Sequence, residues 1–323
     1  MLFRMRTEQT DPVRANITRE IPKEKNMLKN VSRKKIKSAL IFLIAVLLVV
    51  CISLLAAVLV RRHRASLDLI QAAPLKVTFV DVGQGDGIVI ECEDTTLVID
   101  GGEYERRNAI LRFLRNEEIK TIDCYIASHP HADHIGAAAD IVNAFDVRTV
   151  MMTTFSEINV PTTVSYETFM TAVDAENCDV LFASAGESYT FGELKLDVLS
   201  PSVETGDYNN MSLVIKMTYK DNTFLFTGDA EAEIEQQLLD SGADLSAQVL
   251  KIGHHGSSTS SCDSFISAVL PQIAVISCGL NNDYGHPHRQ TLDTLEKYEI
   301  TVYRTDQSGN IVVYGNGKEV TVA

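Results

Sequence analysis

Between Ala39 and Val60 the chain runs for 22 residues with one polar side chain, Ser53. No other feature restricts the fold so strongly, because a run this apolar does not stay in water. As a helix it reaches about 33 Å, enough to cross the hydrocarbon core of a bilayer. A cleaved signal peptide has a shorter apolar stretch that ends in small residues. This run ends in Arg61-Arg62-His63-Arg64, so an uncleaved anchor is expected.

Charge divides the chain at the same place. Residues 1–64 hold 14 Lys and Arg against 4 Asp and Glu, a balance of +10. Residues 65–323 hold 15 against 39, a balance of −24. Seven of the basic residues lie within 23–37 and three within 61–75. The richer flank stays in the cytoplasm, which predicts a single-pass protein of the cell membrane with its body outside. The expected layout is a basic cytoplasmic tail over 1–38, an anchor over 39–60, a linker over 61–74 and a folded domain over 75–323. A body this acidic repels polyanions at long range, so a sequence-independent grip on DNA through many phosphate contacts is not expected. A site made locally positive by cations is still compatible with that charge. None of the six cysteines forms a C-x-x-C pair. Cys92, Cys124 and Cys278 sit in apolar runs and read as buried free thiols.

Short β-branched runs at Leu75–Asp81, Gly87–Glu91 and Thr96–Asp100, separated by Gly and acidic residues, predict neighbouring strands. A helical spacing over Arg106–Asn116 follows, then a strand at Thr121–Ser128 and a helix over Gly136–Phe145. The second half repeats this succession of strands, then helices. An α+β fold with two sheets face to face and helices outside is expected.

The chemistry concentrates in Ser128-His129-Pro130-His131-Ala132-Asp133-His134. In extended chain His129 and His131 point to one side and can chelate one ion. Where the chain turns into a helix, Asp133 and His134 are redirected toward a second. A pair of ions needs a bridging carboxylate. Asp229, ending the apolar run Phe224-Leu225-Phe226-Thr227-Gly228-Asp229, is the candidate. His254 and His255, in Gly253-His254-His255-Gly256, follow another strand. One of them completes the second ion's shell, His254 being slightly preferred, and the other is free to meet substrate.

Taken with Phe79-Val80-Asp81-Val82-Gly83-Gln84-Gly85-Asp86, Val98-Ile99-Asp100-Gly101-Gly102, Asn209-Asn210-Met211-Ser212-Leu213-Val214 and Tyr284-Gly285-His286-Pro287-His288, these motifs resemble the metallo-β-lactamase superfamily. More narrowly they resemble the hydrolase domain of the competence protein ComEC family, over roughly residues 75–315. The resemblance implies an αββα sandwich and two divalent cations, Zn2+ or Mn2+. It also implies a metal-bound hydroxide as nucleophile and a phosphodiester substrate, DNA foremost. Asp133, Asp229 and His286 are then the residues expected to carry catalysis, His286 as a phosphate contact or a proton donor to the leaving group. Asp100 is expected to orient the histidines from behind. Ser257, Ser258 and Ser260 read as caps of the next helix, in a geometry that also suits a phosphate.

Two departures bear on these expectations. Superfamily members commonly place a further histidine ligand between the histidine cluster and the bridging aspartate, yet no histidine lies between His134 and His254. Asn209 and Asn210 are the nearest polar replacements, and an oxygen donor there makes the first ion exchangeable or favours manganese. The many-span channel of the competence family has no counterpart in these motifs, so hydrolysis rather than DNA transport is implied. Two other readings compete with a nuclease. The acidic body suits a cell-surface hydrolase of smaller esters, a phosphorylcholine-type phosphodiester or a lactone. A metal-binding module without turnover is disfavoured by the completeness of the ligand motifs. No protein partner is legible.

Overall fold

The computed structural model describes residues 23–201 and 205–323; the start of the basic tail, residues 1–22, lies outside the described residues. The chain divides into two units, Met1–Arg64 and Ala65–Ala323. Helix α1 (Lys23–Ala72) contains the apolar run. Its stretch Leu40–Arg61 is long and apolar enough to cross a membrane, and none of it is buried against protein. Helix continues past the arginines because no Gly or Pro interrupts it before Pro74. The residue preceding a proline avoids helical dihedrals, which fits the stop at Ala72.

The second unit is built on two sheets. The first takes β1 (Leu75–Phe79), β2 (Ile88–Cys92), β3 (Thr95–Ile99), β4 (Thr121–Ile126), β5 (Asp146–Met152) and β6 (Asp179–Phe182). The second takes β7 (Ser188–Phe191), β8 (Leu194–Ser200), β9 (Val214–Tyr219), β10 (Asn222–Phe226), β11 (Val249–Lys251), β12 (Ile273–Ile276) and β13 (Thr301–Arg304). The chain then returns to the first sheet with β14 (Ile311–Gly315) and β15 (Val320–Val322), giving the order β15-β14-β1-β2-β3-β4-β5-β6. In each sheet one half is antiparallel and the other, β3 to β6 or β10 to β13, is parallel.

Alternation decides which side chains meet between the sheets. Leu75, Val77 and Phe79 of β1 share that core with Leu194, Leu196 and Val198 of β8, while Lys195 of β8 faces out. Helices cover both outer faces. On the first sheet, α2 (Asn108–Asn116) buries Ile110, Leu111 and Leu114 beside Val89 and Val98. A short helix α3 (Ala132–Ile135), then α4 (Ala138–Ala144) and α5 (Val164–Glu176), complete that layer. On the second, α6 (Ala232–Ser241), α7 (Asp263–Val269) and α8 (Arg289–Lys297) bury Ile234, Phe265 and Leu295. The result is the αββα sandwich. All the cysteines are free, with Cys92, Cys124 and Cys278 buried; burial pushes the Cys124 thiol up to about 12.

The expected capping of α7 by serine is corrected. Its N-cap is Cys262, with no side-chain cap. Glu235 of α6, itself buried, accepts from the backbone N–H groups of Ser261 and Cys262 instead. Ser260 Oγ turns away to the Ala230 carbonyl.

Candidate metal centre

The carboxyl ends of the parallel strands carry the histidines and Asp229, the position where open α/β sheets place their ligands. Register explains the convergence. Ile99 of β3 pairs with Ile126 of β4, which sets Asp100 beside Ser128 and the start of the histidine cluster. Phe226 of β10 pairs with Lys251 of β11, so Asp229 and His254, each three residues on, leave the sheet at one level.

His129 and His131 lie in extended chain before α3, with His129 Nε2 3.1 Å from His131 Nδ1. Helix α3 then carries Asp133 and His134 to the other side. There His134 Nε2 is 3.3 Å from His255 Nε2 and 3.3 Å from Asp229 Oδ2. His255 Nε2 is 3.4 Å from Asp229 Oδ2 and 3.3 Å from Asp133 Oδ2. Two ligand atoms at Zn–N or Zn–O distance from a tetrahedral ion stand about 3.4 Å apart. Four of the six edges of such a tetrahedron are therefore present in Asp133, His134, Asp229 and His255, whose donor atoms converge as a group able to hold an ion. Asp229 Oδ2 also lies 3.9 Å from His129 Nε2, and its Oδ1, buried, has no protein hydrogen-bond partner among the described residues. One carboxylate thus meets both imidazoles of one pair and approaches His129 of the other, the position a bridging ligand needs.

The tautomers suit this reading. His134 Nδ1 lies 2.8 Å from Asp100 Oδ2 and His255 Nδ1 lies 3.0 Å from the Ser277 carbonyl, which leaves both Nε2 atoms for an ion. Asp100, fully buried, also accepts from Ser128 N and Ser128 Oγ. It orients the cluster from behind, as expected. In the ion-free protein, burial alone would lower the His134 and His255 imidazoles. Asp229 leads the carboxylates that override it and hold both well above the usual range. Burial, reinforced by neighbouring His134, drives His129 well below it.

One preference is corrected. His255, not His254, joins the four-donor group. Both residues are left-handed, at φ 47° and 53°, and this turn swings the second imidazole inward. Such dihedrals cost non-glycine residues roughly 1–2 kcal/mol each, a strain that accompanies functional sites. His254 faces the cleft with Nδ1 3.1 Å from Thr259 Oγ1 and Nε2 3.8 Å from Asp229 Oδ2. His286 lines the same cleft, about 350 Å3 in volume, with Gln84, Asn209 and Tyr284. Burial, then the imidazoles of His255 and His254, push His286 down to about 4. His288 is structural, bonded to Ser258 N and near the Tyr284 carbonyl.

Sequence reasoning missed the pairing of Lys251 with Asp86. Lys251 Nζ is fully buried and 2.7 Å from Asp86 Oδ2. Asp86 Oδ1 is 3.5 Å from His255 Nδ1. Asp86, Asp100 and His134 also form a buried, ligand-like group, but the Lys251 ammonium supplies its cation. A lysine inside an apolar strand was the available signal, since buried lysines are almost always paired.

The sequence profile of the metallo-beta-lactamase superfamily matches residues 80–280. The chain belongs to the metallo-beta-lactamase superfamily. That fold typically serves metal-dependent hydrolysis. Within it, the chain is 31% identical over 255 residues to ComE operon protein 3 of Bacillus subtilis, covering 73% of this chain and 32% of that protein. It is 32% identical over 245 residues to Recombination protein 2 of Haemophilus influenzae, covering 74% and 28%. Competence protein ComA of Neisseria gonorrhoeae is 29% identical, covering 72% and 31%. The chain thus spans about a third of the length of these relatives. Among solved structures it is similar in fold to CmlA, a diiron beta-hydroxylase from Streptomyces venezuelae, with a TM-score of 0.54 and 14% identity over 75% of this chain and 54% of that one. The metallo-beta-lactamase fold protein YhfI from Bacillus subtilis gives 0.51 and 12%, over 77% and 100%. At these identities the likeness is one of fold.

Proposed function

We propose that this chain is a membrane-anchored, metal-dependent phosphodiesterase acting on a DNA-type substrate, with residues 75–323 as its hydrolase domain outside the cell and its tail in the cytoplasm. The observation that carries this is the tetrahedral spacing of Asp133, His134, Asp229 and His255 beside a second imidazole pair, His129 and His131, whose His129 approaches Asp229. The relatives' names, competence and recombination proteins, favour DNA as the phosphodiester.

In this reading His134, His255, Asp133 and Asp229 hold one ion, and His129, His131 and Asp229 the other. Two divalent cations, Zn2+ or Mn2+, supply Lewis acidity for a phosphoryl oxygen and an acidified water near neutral pH. Asp100 and the Ser277 carbonyl keep the imidazoles of His134 and His255 in register. His254 presents Nε2 to the cleft and contacts the phosphate. His286 is neutral at physiological pH, so it serves as a hydrogen-bond donor to the phosphoryl group rather than as an acid that gives up a proton.

A second reading rests on the larger groove, about 840 Å3, that meets the cleft at Gln84 and Tyr284. It carries Asp81, Glu103, Glu105, Asp283 and Asp306 against Arg106 and Arg112. That balance suits a small ester, or one with a cationic group, better than a polyanion. Full-length protein loaded with Mn2+ or Zn2+ and offered plasmid DNA, bis-p-nitrophenyl phosphate and a phosphorylcholine ester separates the two. Metal-dependent DNA cleavage, lost in Asp229→Ala, supports the nuclease; turnover of the small esters alone supports the second reading. Loaded protein that turns over none of them overturns both.

A further inference from the structure

The first ion's imidazole pair lacks a partner that the second ion's pair has. His134 and His255 are joined by two carboxylates, Asp133 and Asp229, whereas the His129–His131 pair is approached, among the described residues, by Asp229 alone, 3.9 Å from His129 Nε2. No histidine occurs between His134 and His254 to fill the gap. Resting on the two-ion reading above, we infer that Asn209 supplies the missing donor, ligating the first ion through its carboxamide oxygen.

Asn209 lines the cleft together with His131, Asp229 and His254. Its Oδ1 is buried and has no hydrogen-bond partner among the described residues. A carbonyl oxygen left so costs roughly 1–3 kcal/mol, a debt that a cation removes. Its backbone is held firmly in place. Asn209 N donates to Asp207 Oδ1 at 2.9 Å, and the Asn209 carbonyl accepts from Ser212 N at 3.0 Å. The following residues are tied to both ligand-bearing loops. Ser212 Oγ accepts from Asp229 N at 3.0 Å, and Leu213 N donates to the Ser128 carbonyl at 2.9 Å. The segment is a strap from the histidine cluster to the bridging aspartate, with Asn209 at its cleft end.

The neighbouring asparagine is excluded by its bonding. Asn210 Oδ1 accepts from Glu231 N at 3.1 Å, which fixes the turn after Asp229 and leaves that oxygen engaged. Of the two carboxamides, one has its oxygen engaged by the turn and the other, on a residue lining the cleft, has an oxygen with no protein partner among the described residues.

A neutral oxygen where the second ion has the Asp133 carboxylate makes the two sites unequal. The first ion binds more weakly, and its oxygen donor tolerates manganese better than a third imidazole would. The two ions therefore load in order, the Asp133 side first.

The test is uptake rather than turnover. Full-length protein in detergent, stripped with chelator, is titrated separately with Zn2+ and Mn2+ by calorimetry, with metal content measured alongside. Two unequal events are expected. Asn209→Ala weakens the weaker one on the order of tenfold and leaves the tighter one unaltered. Asn209→His tightens it for Zn2+ on the order of tenfold and raises the preference for Zn2+ over Mn2+; Asn209→Asp tightens it for both metals. Gains of affinity cannot come from misfolding, so the His and Asp variants guard against that account of Asn209→Ala. Two ions bound with the weaker affinity unchanged across the three variants overturn this inference alone. Fewer than two ions bound by the wild type overturn the two-ion reading and this inference with it. Expected uptake without hydrolysis of any phosphodiester leaves this inference standing and removes the proposed activity.

Discussion

Lys251 Nζ sits 2.7 Å from Asp86 Oδ2, with both side chains closed to solvent, directly behind the imidazoles of His134 and His255. Burial raises the Asp86 carboxyl, but Lys251, helped by His255 and His134, outweighs it and holds the group below its ordinary value. The carboxylate is thus ionised beside two imidazoles that face the four-donor group. Lys251 offsets one of the negative charges that Asp86, Asp100 and Asp229 bury close together.

Removing one partner of a buried pair costs more than removing both, because a lone charge is left in low dielectric. Lys251→Met should destabilise the protein by about 3–5 kcal/mol, while adding Asp86→Asn should recover most of that loss. Urea unfolding of the full chain in detergent checks this. Additive losses in the double variant would mean the two groups are not a coupled pair.

Gly85, in the hairpin connection between β1 and β2, packs against the backbone of Asp133. Its φ is +130°, and a Cβ there would meet the Asp133 carbonyl oxygen at 2.1 Å. Asp86 N donates to that same oxygen at 3.2 Å. Gly85→Ala should therefore push Asp133 away and weaken the tighter ion on the order of tenfold or more. Calorimetric titration reads this directly. Unaltered affinity would show that the hairpin does not position Asp133.

Loading the centre should release protons. In the ion-free protein His134 and His255 are held protonated to a pH well above the usual histidine range, chiefly against the pull of burial by Asp229. An ion needs both Nε2 atoms deprotonated, so it competes with protons until the pH passes those raised values. Apparent affinity for the tighter ion should rise with pH across the neutral range, with protons released as the ion loads. Calorimetry in buffers of different ionisation enthalpy counts them. Release near zero would mean the imidazoles are already neutral.

The proposed orientation rests on seven basic residues before the apolar run against three after it. Protease added to intact cells should digest the body, residues 65–323, and leave a small membrane-bound fragment. Complete protection would place the body inside.

Much of the fold was legible because its strands are apolar, β-branched and bounded by turns, as in Val77–Phe79 and Phe224–Phe226. Strands β5, β7 and β15 were not. Asp146 and Arg148 interrupt the apolar pattern of β5, and its place is set by parallel pairing with β4 instead. Strand β7, Ser188–Phe191, has no fully buried residue and is recruited by β8. Tertiary pairing overrides weak local preference in such segments.

The sequence alone determined the apolar run, the His and Asp inventory of the candidate centre and the family, because each is carried by residue types at short spacing along the chain. Only the tertiary structure decided that His255 rather than His254 turns inward, that Asn209 rather than Asn210 keeps a free oxygen, and that Lys251 answers Asp86. Those choices depend on left-handed dihedrals and on contacts between strand ends far apart in sequence. An ion responds to the distance between donor atoms, and that distance exists only once both sheets have packed.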